Sequence, residues 1–165
     1  MKPAKSIVVA ALVLCTCLAN AQGRFSAGLE VAAPTGDLSD HAGLGVGGSL
    51  RFEFPVVAHL GLTLTGGYIS LSGKTDGGYK IAMIPIQAGL KFYFSGQQDG
   101  LYVMGETGVH NTKADIEGAK SQTDFSYAPE LGYHADHLDF GARYQVISGG
   151  SSYVGLRLAY AFGSK

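Results

Sequence analysis

Residues 155–162 read GLRLAYAF and alternate between large apolar side chains and small or charged ones. The odd-numbered positions carry glycine and alanines together with Arg157. The even-numbered positions carry Leu156, Leu158, Tyr160 and Phe162. Because successive side chains of a β-strand point to opposite faces, this stretch predicts a strand whose apolar face ends in an aromatic residue.

The same alternation recurs seven times upstream and gives eight predicted strands, the even number typical of single-chain barrels. Pro85 and Pro129 fall inside predicted strands, where each removes a ladder hydrogen bond. The strands are predicted at 24–31, 44–54, 60–70, 84–94, 101–109, 125–133, 138–146 and 155–162. Polar connections at 34–43, 73–79, 111–123 and 148–152 alternate with mostly shorter ones at 55–59, 95–100 and 135–137.

The N-terminal segment 1–21 is read separately from the rest. Two lysines precede an apolar run from Ile7 to Leu18, and residues 19–21 are the small residues that a signal peptidase recognises. The run has about a dozen residues, whereas a transmembrane helix needs roughly 20. We therefore expect a cleavable signal peptide at 1–21 and one domain at 22–165.

Both cysteines, Cys15 and Cys17, lie in this leader. A lipoprotein signal is the weaker alternative, because neither cysteine follows a glycine or an alanine. Without cysteine, the remaining chain supports no disulfide framework, thiolate metal site or cysteine nucleophile. Its 12 basic residues less two leader lysines leave 10 against 13 acidic ones, so no basic excess indicates a nucleic-acid partner.

The polar faces of the predicted strands carry charges of both signs among many glycines. The interior of an eight-stranded barrel is only wide enough for side chains to fill it, so opposite charges can pair there. A soluble barrel would instead turn its apolar faces inward around a ligand. We predict a lumen charge network of Glu30, Arg51, Glu53, Lys91, Glu106, Glu130, Asp139, Arg143 and Arg157.

Aromatic residues gather near both ends of the apolar faces, as in the two lipid-facing girdles of membrane barrels. One predicted girdle contains Phe25, Phe52, Phe54, Phe92, Phe94, Tyr133, Phe140, Tyr160 and Phe162. The other contains Tyr68, Phe125, Tyr127, Tyr144 and Tyr153. Strands of about 10 residues tilted by about 40° span roughly 25 Å, the height of the apolar band. The predicted fold is therefore an all-β, eight-stranded, antiparallel up-and-down transmembrane β-barrel.

Three runs carry a resemblance to a known family: MIPIQAGLKFYF at 83–94, FSYAP at 125–129 and the terminal GLRLAYAF. The chain resembles the outer-membrane β-barrel domain family, the small OmpA-type or porin-like barrels of Bacteroidetes-type Gram-negative bacteria. The resemblance implies an outer-membrane location and assembly through the C-terminal strand by the barrel-assembly machinery. It implies no catalytic residues. The tail at 163–165 departs from barrels whose assembly signal ends on the aromatic residue itself.

One grouping resembles a hydrolytic triad, because a hairpin should bring His110 beside Asp124 and Ser126 at the outer mouth. All three lie on the polar, lumen-side faces of the predicted strands, whereas a lipid-modifying site needs access to the membrane. We therefore favour a hydrated polar mouth, and no enzyme.

Two further motifs have simpler explanations than ligand binding. The glycine-rich segment 43–48 enters a strand and opens no helix, so it fails the context of a phosphate loop and suits close packing. His134 and His137, with Asp136 and Asp139 nearby, could hold a metal, but histidines beside a short turn are usually solvated. We expect no metal and no cofactor.

The predicted role is that of a membrane scaffold with a plugged lumen, acting structurally or through its loops. A small pore or a passage for hydrophobic solutes is the first alternative. A lipid-modifying enzyme and a soluble ligand-binding barrel follow. The predicted partners are outer-membrane lipid and the assembly machinery, whereas the loop partners cannot be read from the sequence.

Overall fold

The period-two pattern of the sequence becomes eight strands in the computed structural model, which describes residues 23–74, 80–95, 98–115 and 121–162. The strands are β1 (Arg24–Gly36), β2 (Ala42–Val57), β3 (Leu60–Gly73), β4 (Lys80–Tyr93), β5 (Gly100–Ala114), β6 (Gln122–Ala135), β7 (Leu138–Ile147) and β8 (Ser151–Phe162). One short helix, α1 (Asp37–His41), lies between β1 and β2. The predicted signal peptide lies outside the described residues.

Each strand pairs with the next in antiparallel register, and β8 pairs with β1 to close the sheet. The closing ladder runs from Phe25 opposite Phe162 to Gly36 opposite Ser151. Closure leaves none of the described strands with an unpaired edge. The predicted antiparallel up-and-down barrel is confirmed.

The two ends of the barrel differ. The terminal end carries the start of β1, the end of β8 and the turns β2–β3, β4–β5 and β6–β7. The distal end carries α1 and the connections β3–β4, β5–β6 and β7–β8. Among the described residues, no helix has the length and apolar character needed to cross a membrane.

Several strands extend beyond their predicted limits at the distal end. The segment predicted as the loop 34–43 contains the end of β1, α1 and the start of β2. Glycine, serine and aspartate are rare in strands, and for this reason the composition indicated loops. The neighbouring strand nevertheless supplies partners, as where Thr35 lies opposite Ser152 with 2.9 Å between their hydroxyl oxygens.

Pro85 and Pro129, the two prolines inside predicted strands, have the predicted effect on the ladders. Pairing of β3 with β4 passes from Gly66–Ile86 to Ile69–Met83, and so skips Pro85. Pairing of β6 with β7 skips Pro129 in the same way. On their other sides, β4 and β6 both pair with β5, and that pairing continues past each proline.

In contrast to a soluble protein, the barrel exposes apolar side chains on its outer surface and buries charged ones inside. Leu29 on the outer surface is 74% exposed and Leu158 is 56% exposed, whereas Arg51 and Lys91 inside are 1% and 0% exposed. Soluble proteins rarely expose apolar patches of more than a few hundred Å², and they almost never bury unpaired charges fully. The outer surface is therefore suited to an apolar surrounding.

Replacing Gly108 with alanine should destabilise the barrel, because an added Cβ would lie 2.1 Å from the carbonyl oxygen of Ile86. We expect a loss of about 1–3 kcal/mol from the backbone shift. Gly105→Ala in the same strand is the matched control, since nothing lies within 4 Å of its Cβ position. That change should be neutral or slightly stabilising. Urea unfolding of both variants in one detergent measures the difference, and equal midpoints would contradict the packing argument.

Candidate functional site in the barrel lumen

Alternate residues of every strand point into the lumen, and Lys91 occupies its terminal part with two carboxylates. Its Nζ lies 2.6 Å from Asp139 Oδ2 and 3.2 Å from Glu53 Oε2. The Tyr102 ring centroid is 3.8 Å from the same nitrogen, a cation–π geometry. The Tyr93 hydroxyl donates to Glu53 Oε1 at 2.7 Å. The ammonium group is thus surrounded by carboxylates and aromatic rings.

Arg51 lies at the centre of the network and binds Glu130 through both guanidinium ends. Arg51 Nη1 lies 3.0 Å from Glu130 Oε1, and Nη2 lies 2.9 Å from Oε2. The same Nη2 is 3.5 Å from Glu106 Oε2, and Nε donates to Thr65 Oγ1 at 3.0 Å. Such bidentate pairs are among the stronger hydrogen-bonded contacts in proteins.

Arg157 connects the wall of β1 and β2 to the network. Its Nε donates to Ser49 Oγ and its Nη2 to Ser26 Oγ, both at 2.9 Å, and its Nη1 to Asp139 Oδ1 at 3.3 Å. Arg143 donates to Glu30. The serine hydroxyl oxygens therefore accept the guanidinium hydrogens that do not reach a carboxylate.

The structure places all nine residues of the predicted lumen set inside the barrel and buries them. Arg24 joins them at the terminal end, with Nη1 4.0 Å from Glu53 Oε1. The cations are Arg24, Arg51, Lys91, Arg143 and Arg157, and the carboxylates are Glu30, Glu53, Glu106, Glu130 and Asp139. Five charges of each sign give a neutral cluster, the condition under which buried charges are tolerated.

A layer of incompletely bonded polar atoms lies next to this network. Within the part of the chain that the structure describes, Arg143 Nε and Nη1, Glu30 Oε1, Gln87 Oε1 and Gln145 Oε1 have no protein hydrogen-bond partner. Buried atoms of this kind are usually satisfied by ordered water. We expect a few waters in this layer.

The distal end of the lumen is apolar. Leu38 of α1 packs with inward-facing residues of the strands, and Ile69 and Leu71 are fully buried there. The cluster consists of Ala32, Leu38, Ala42, Ile69, Leu71, Ile81, Met83, Ile147 and Tyr153. The expectation of a hydrated polar mouth was wrong, because the strands extend distally and their inward positions there are aliphatic.

Tyr153 was predicted in the outer girdle, and the structure corrects this. β8 begins at Ser151, so period two puts Tyr153 on the inward face with Arg157. The ring is fully buried, and its hydroxyl lies 3.3 Å from His110 Nε2. The other girdle residues point outward, with Phe25, Phe52 and Phe54 half-buried against their neighbours.

The candidate triad is only partly assembled. His110 Nδ1 lies 2.8 Å from Ser126 Oγ, as the hairpin register predicts. Its second ring nitrogen faces Tyr153, and Asp124 accepts a hydrogen bond from Gln122 instead. His110 and Ser126 are both fully buried. A carboxylate to orient the histidine is therefore not in the place where a triad requires one.

The two histidines of the candidate metal site point apart. His134 is buried with Nδ1 3.3 Å from Asp139 Oδ2, whereas His137 stacks on the outward ring of Tyr160. Among the described residues, no group of three or more histidine, cysteine or acidic side chains has a metal-binding arrangement. These histidines belong to different surfaces of the barrel.

The glycine-rich segment 43–48 lies within β2 and packs closely against β3. An added Cβ at Gly47 would lie 2.1 Å from the carbonyl oxygen of Tyr68, and one at Gly45 would lie 2.7 Å from Leu71 Cδ2. Side chains here would collide with the neighbouring strand or the apolar cluster. This geometry agrees with close packing, as the strand context predicted.

Comparison with solved structures identifies small outer-membrane barrels as similar in fold. Ail of Yersinia pestis, solved with the heparin analogue sucrose octasulfate, gives a TM-score of 0.61 at 14% identity over 85% of this chain and 97% of that one. The N-terminal barrel of OprF from Pseudomonas aeruginosa gives 0.55 at 14% identity, covering 83% and 97%. Neisserial surface protein A gives 0.53 at 16% identity, covering 87% and 97%.

No protein-family model and no curated protein matches the sequence. The likeness therefore lies in the fold: the chain is an eight-stranded barrel of the outer-membrane type.

Replacing Arg51 with methionine should cost about 3–5 kcal/mol of unfolding free energy, because Glu106 and Glu130 would then be buried without their central cation. Adding Glu130→Gln to that variant should restore part of the loss. Lys80→Met is the control, since this side chain is exposed and should change stability little. Denaturant titration in detergent measures all three. Equal losses in the single and double variants would contradict the pairing.

Proposed function

We propose that this protein is an exported outer-membrane barrel whose lumen is plugged by the charge network and the apolar cluster, and which acts as a scaffold for its distal loops. The main support for this proposal is that charged side chains are buried and apolar side chains are exposed. Charged side chains fill the interior, whereas leucine, isoleucine, valine and aromatic side chains cover the outside. Water would disfavour such a surface, and lipid would stabilise it.

The orientation follows from the connections. The terminal end has short turns such as that between Val57 and Leu60, and the distal end has the helix-bearing connection. Outer-membrane barrels have short periplasmic turns and longer external loops. Both termini thus lie on the periplasmic side. Export by the segment 1–21, assembly through β8 and Bacteroidetes-type family membership belong to this proposal and rest on the sequence.

The loop partners are not the polyanion class that was crystallised with Ail. The distal connections carry Lys74 and Lys120. They also carry Asp37, Asp40, Asp76, Asp115 and Glu117. Five acidic against two basic groups would repel a sulfated glycan. We therefore propose neutral or cationic partners.

A catalytic role is not part of the proposal. His110 and Ser126 are buried inside the barrel, away from the outer apolar surface where a lipid substrate would lie. Their partners are Gln87 and Tyr153, which form an internal hydrogen-bonded chain.

A lateral passage for hydrophobic solutes is the second candidate, and one observation favours it. A groove of about 440 Å³ crosses the outer surface over β1, β2 and β3, where Gly48 and Gly66 carry no side chain and Tyr68 forms a wall. It adjoins the place where β3–β4 pairing skips Pro85. Uptake of an apolar dye by vesicles containing the protein would support this alternative.

Cell fractionation, followed by electrophoresis of boiled and unboiled samples, tests the proposal. We expect the protein in the outer membrane, with the unboiled form migrating faster because the closed barrel resists the detergent. Recovery of an unshifted protein from the periplasm without detergent would contradict it.

A further inference from the structure

His59 in the β2–β3 turn forms a three-ring cluster on the outside of the terminal end. Its ring stacks on Phe92 with centroids 5.9 Å apart and planes at 19°. Phe92 in turn meets Phe94 edge-on at 5.7 Å. His59 Nδ1 lies 3.1 Å from the carbonyl oxygen of Tyr93, and the His59 carbonyl accepts from Tyr93 N at 2.8 Å.

His137 in the β6–β7 turn repeats this arrangement on β8. Its ring stacks on Tyr160 at 5.3 Å and 14°, and Tyr160 meets Phe162 edge-on at 4.8 Å. His137 Nδ1 lies 3.1 Å from the carbonyl oxygen of Ala161, and the His137 carbonyl accepts from Ala161 N at 2.7 Å. Two turns of different sequence thus build the same cluster.

The two clusters lie on opposite sides of the barrel, because the β2–β3 and β6–β7 turns are four strands apart in a closed sheet of eight. Both histidine side chains are exposed, unlike the buried His110 and His134 of the lumen. The lumen network uses neither of them. Their position is that of an aromatic girdle, the level where a membrane barrel meets the lipid headgroups.

Geometry sets the tautomer of both rings. A carbonyl oxygen faces Nδ1, so Nδ1 carries a hydrogen and donates it. Within the described residues, neither Nε2 atom has a protein partner. The neutral ring therefore presents a lone pair outward, and the protonated ring presents an N–H donor with a positive charge. Protonation changes the outward atom and leaves the bond to the backbone intact.

We propose that His59 and His137 are two binding sites for the phosphate of membrane phospholipids, one on each side of the periplasmic rim. This inference rests on the proposed membrane location. Each protonated imidazole donates Nε2–H to a phosphodiester oxygen of the inner leaflet, while the stacked aromatic rings insert among the acyl chains below. Two opposed contacts fix the depth and tilt of the barrel.

Charged groups flank both turns. Asp136 directly precedes His137 in the chain. Near His59, Gln98 Nε2 donates to the carbonyl oxygen of Val57, and Arg24 Nη1 donates to that of Gln98. These two hydrogen bonds bring the β4–β5 turn, which contains Asp99, and the guanidinium of Arg24 close to the β2–β3 turn. The phosphate itself adds the negative charge that stabilises the imidazolium.

The direct test is a solid-state NMR distance measurement between imidazole nitrogen and phosphorus. Full-length protein labelled with ¹⁵N-histidine is inserted into phosphatidylethanolamine–phosphatidylglycerol vesicles in phosphate-free buffer. In mildly acidic buffer, ³¹P should dephase two Nε2 signals.

The double variant His59→Asn, His137→Asn assigns the dephased signals to these two histidines and tests whether insertion depends on them. The asparagine amide replaces Nδ1 and keeps the bond to the backbone, but nothing replaces Nε2. The double variant should insert and remain heat-modifiable, yet lose both dephased signals. His41→Asn at the distal end is the control and should leave them unchanged.

Each outcome decides the matter. An inserted, heat-modifiable wild-type barrel without dephasing would overturn the phosphate sites and leave the membrane assignment intact. Dephasing that persists in the double variant would also overturn them. Failure to insert would instead contradict the proposed function. A maltoside micelle with inorganic phosphate forms the last arm: equal dephasing there would show a free-anion site and overturn the lipid assignment.

Discussion

Closure of the sheet by β1–β8 pairing is the constraint on which the rest of the structure depends. A closed ladder pairs every described strand with a neighbour on both sides, which is the condition for strands in a hydrocarbon medium. Closure also divides the side chains into two sets by parity. Every residue must then suit either the narrow interior or the outer surface, and no strand can shift by one position without exchanging these sets.

The interior is filled in layers along the barrel. The terminal part and the centre contain the neutral ion network, the next layer contains incompletely bonded polar atoms, and the distal part contains the apolar cluster capped by Leu38. Glycines make the large side chains possible, since the Cβ position of Gly132 is 2.2 Å from the Tyr102 ring. The charged layers cost desolvation, and dense mutual bonding offsets it.

Much of this could be predicted from period two alone. The alternation placed the nine lumen charges on one face and most aromatic residues on the other, and eight such strands in a lipid surrounding predicted a closed sheet without edges. Strand ends were less predictable, because pairing depends on a neighbouring strand that local composition does not reveal. Tyr153 was assigned to the outer girdle because β8 was taken to start at residue 155, and the pattern of that strand was not extended back to Ser151. Much of the apolar cluster was missed for a related reason, since Ile81, Met83 and Ile147 lie just beyond the predicted limits of β4 and β7.

The sequence could not predict which charged residues bind each other in the lumen. Arg143 and Glu130 lie opposite each other across β6 and β7, yet Arg143 binds Glu30 and Glu130 binds Arg51 across the lumen. Contacts through the barrel interior depend on the register of all eight strands together. The repeated histidine clusters likewise require knowing which aromatic ring lies beside each turn.

Planar-bilayer recording of the purified, refolded protein tests the plugged lumen most directly. The proposed plug predicts no steady conductance, because the ion network fills the terminal part and the centre of the lumen and the apolar cluster fills its distal part. A large, stable conductance from the wild-type protein would contradict the account and indicate an open, water-filled pore.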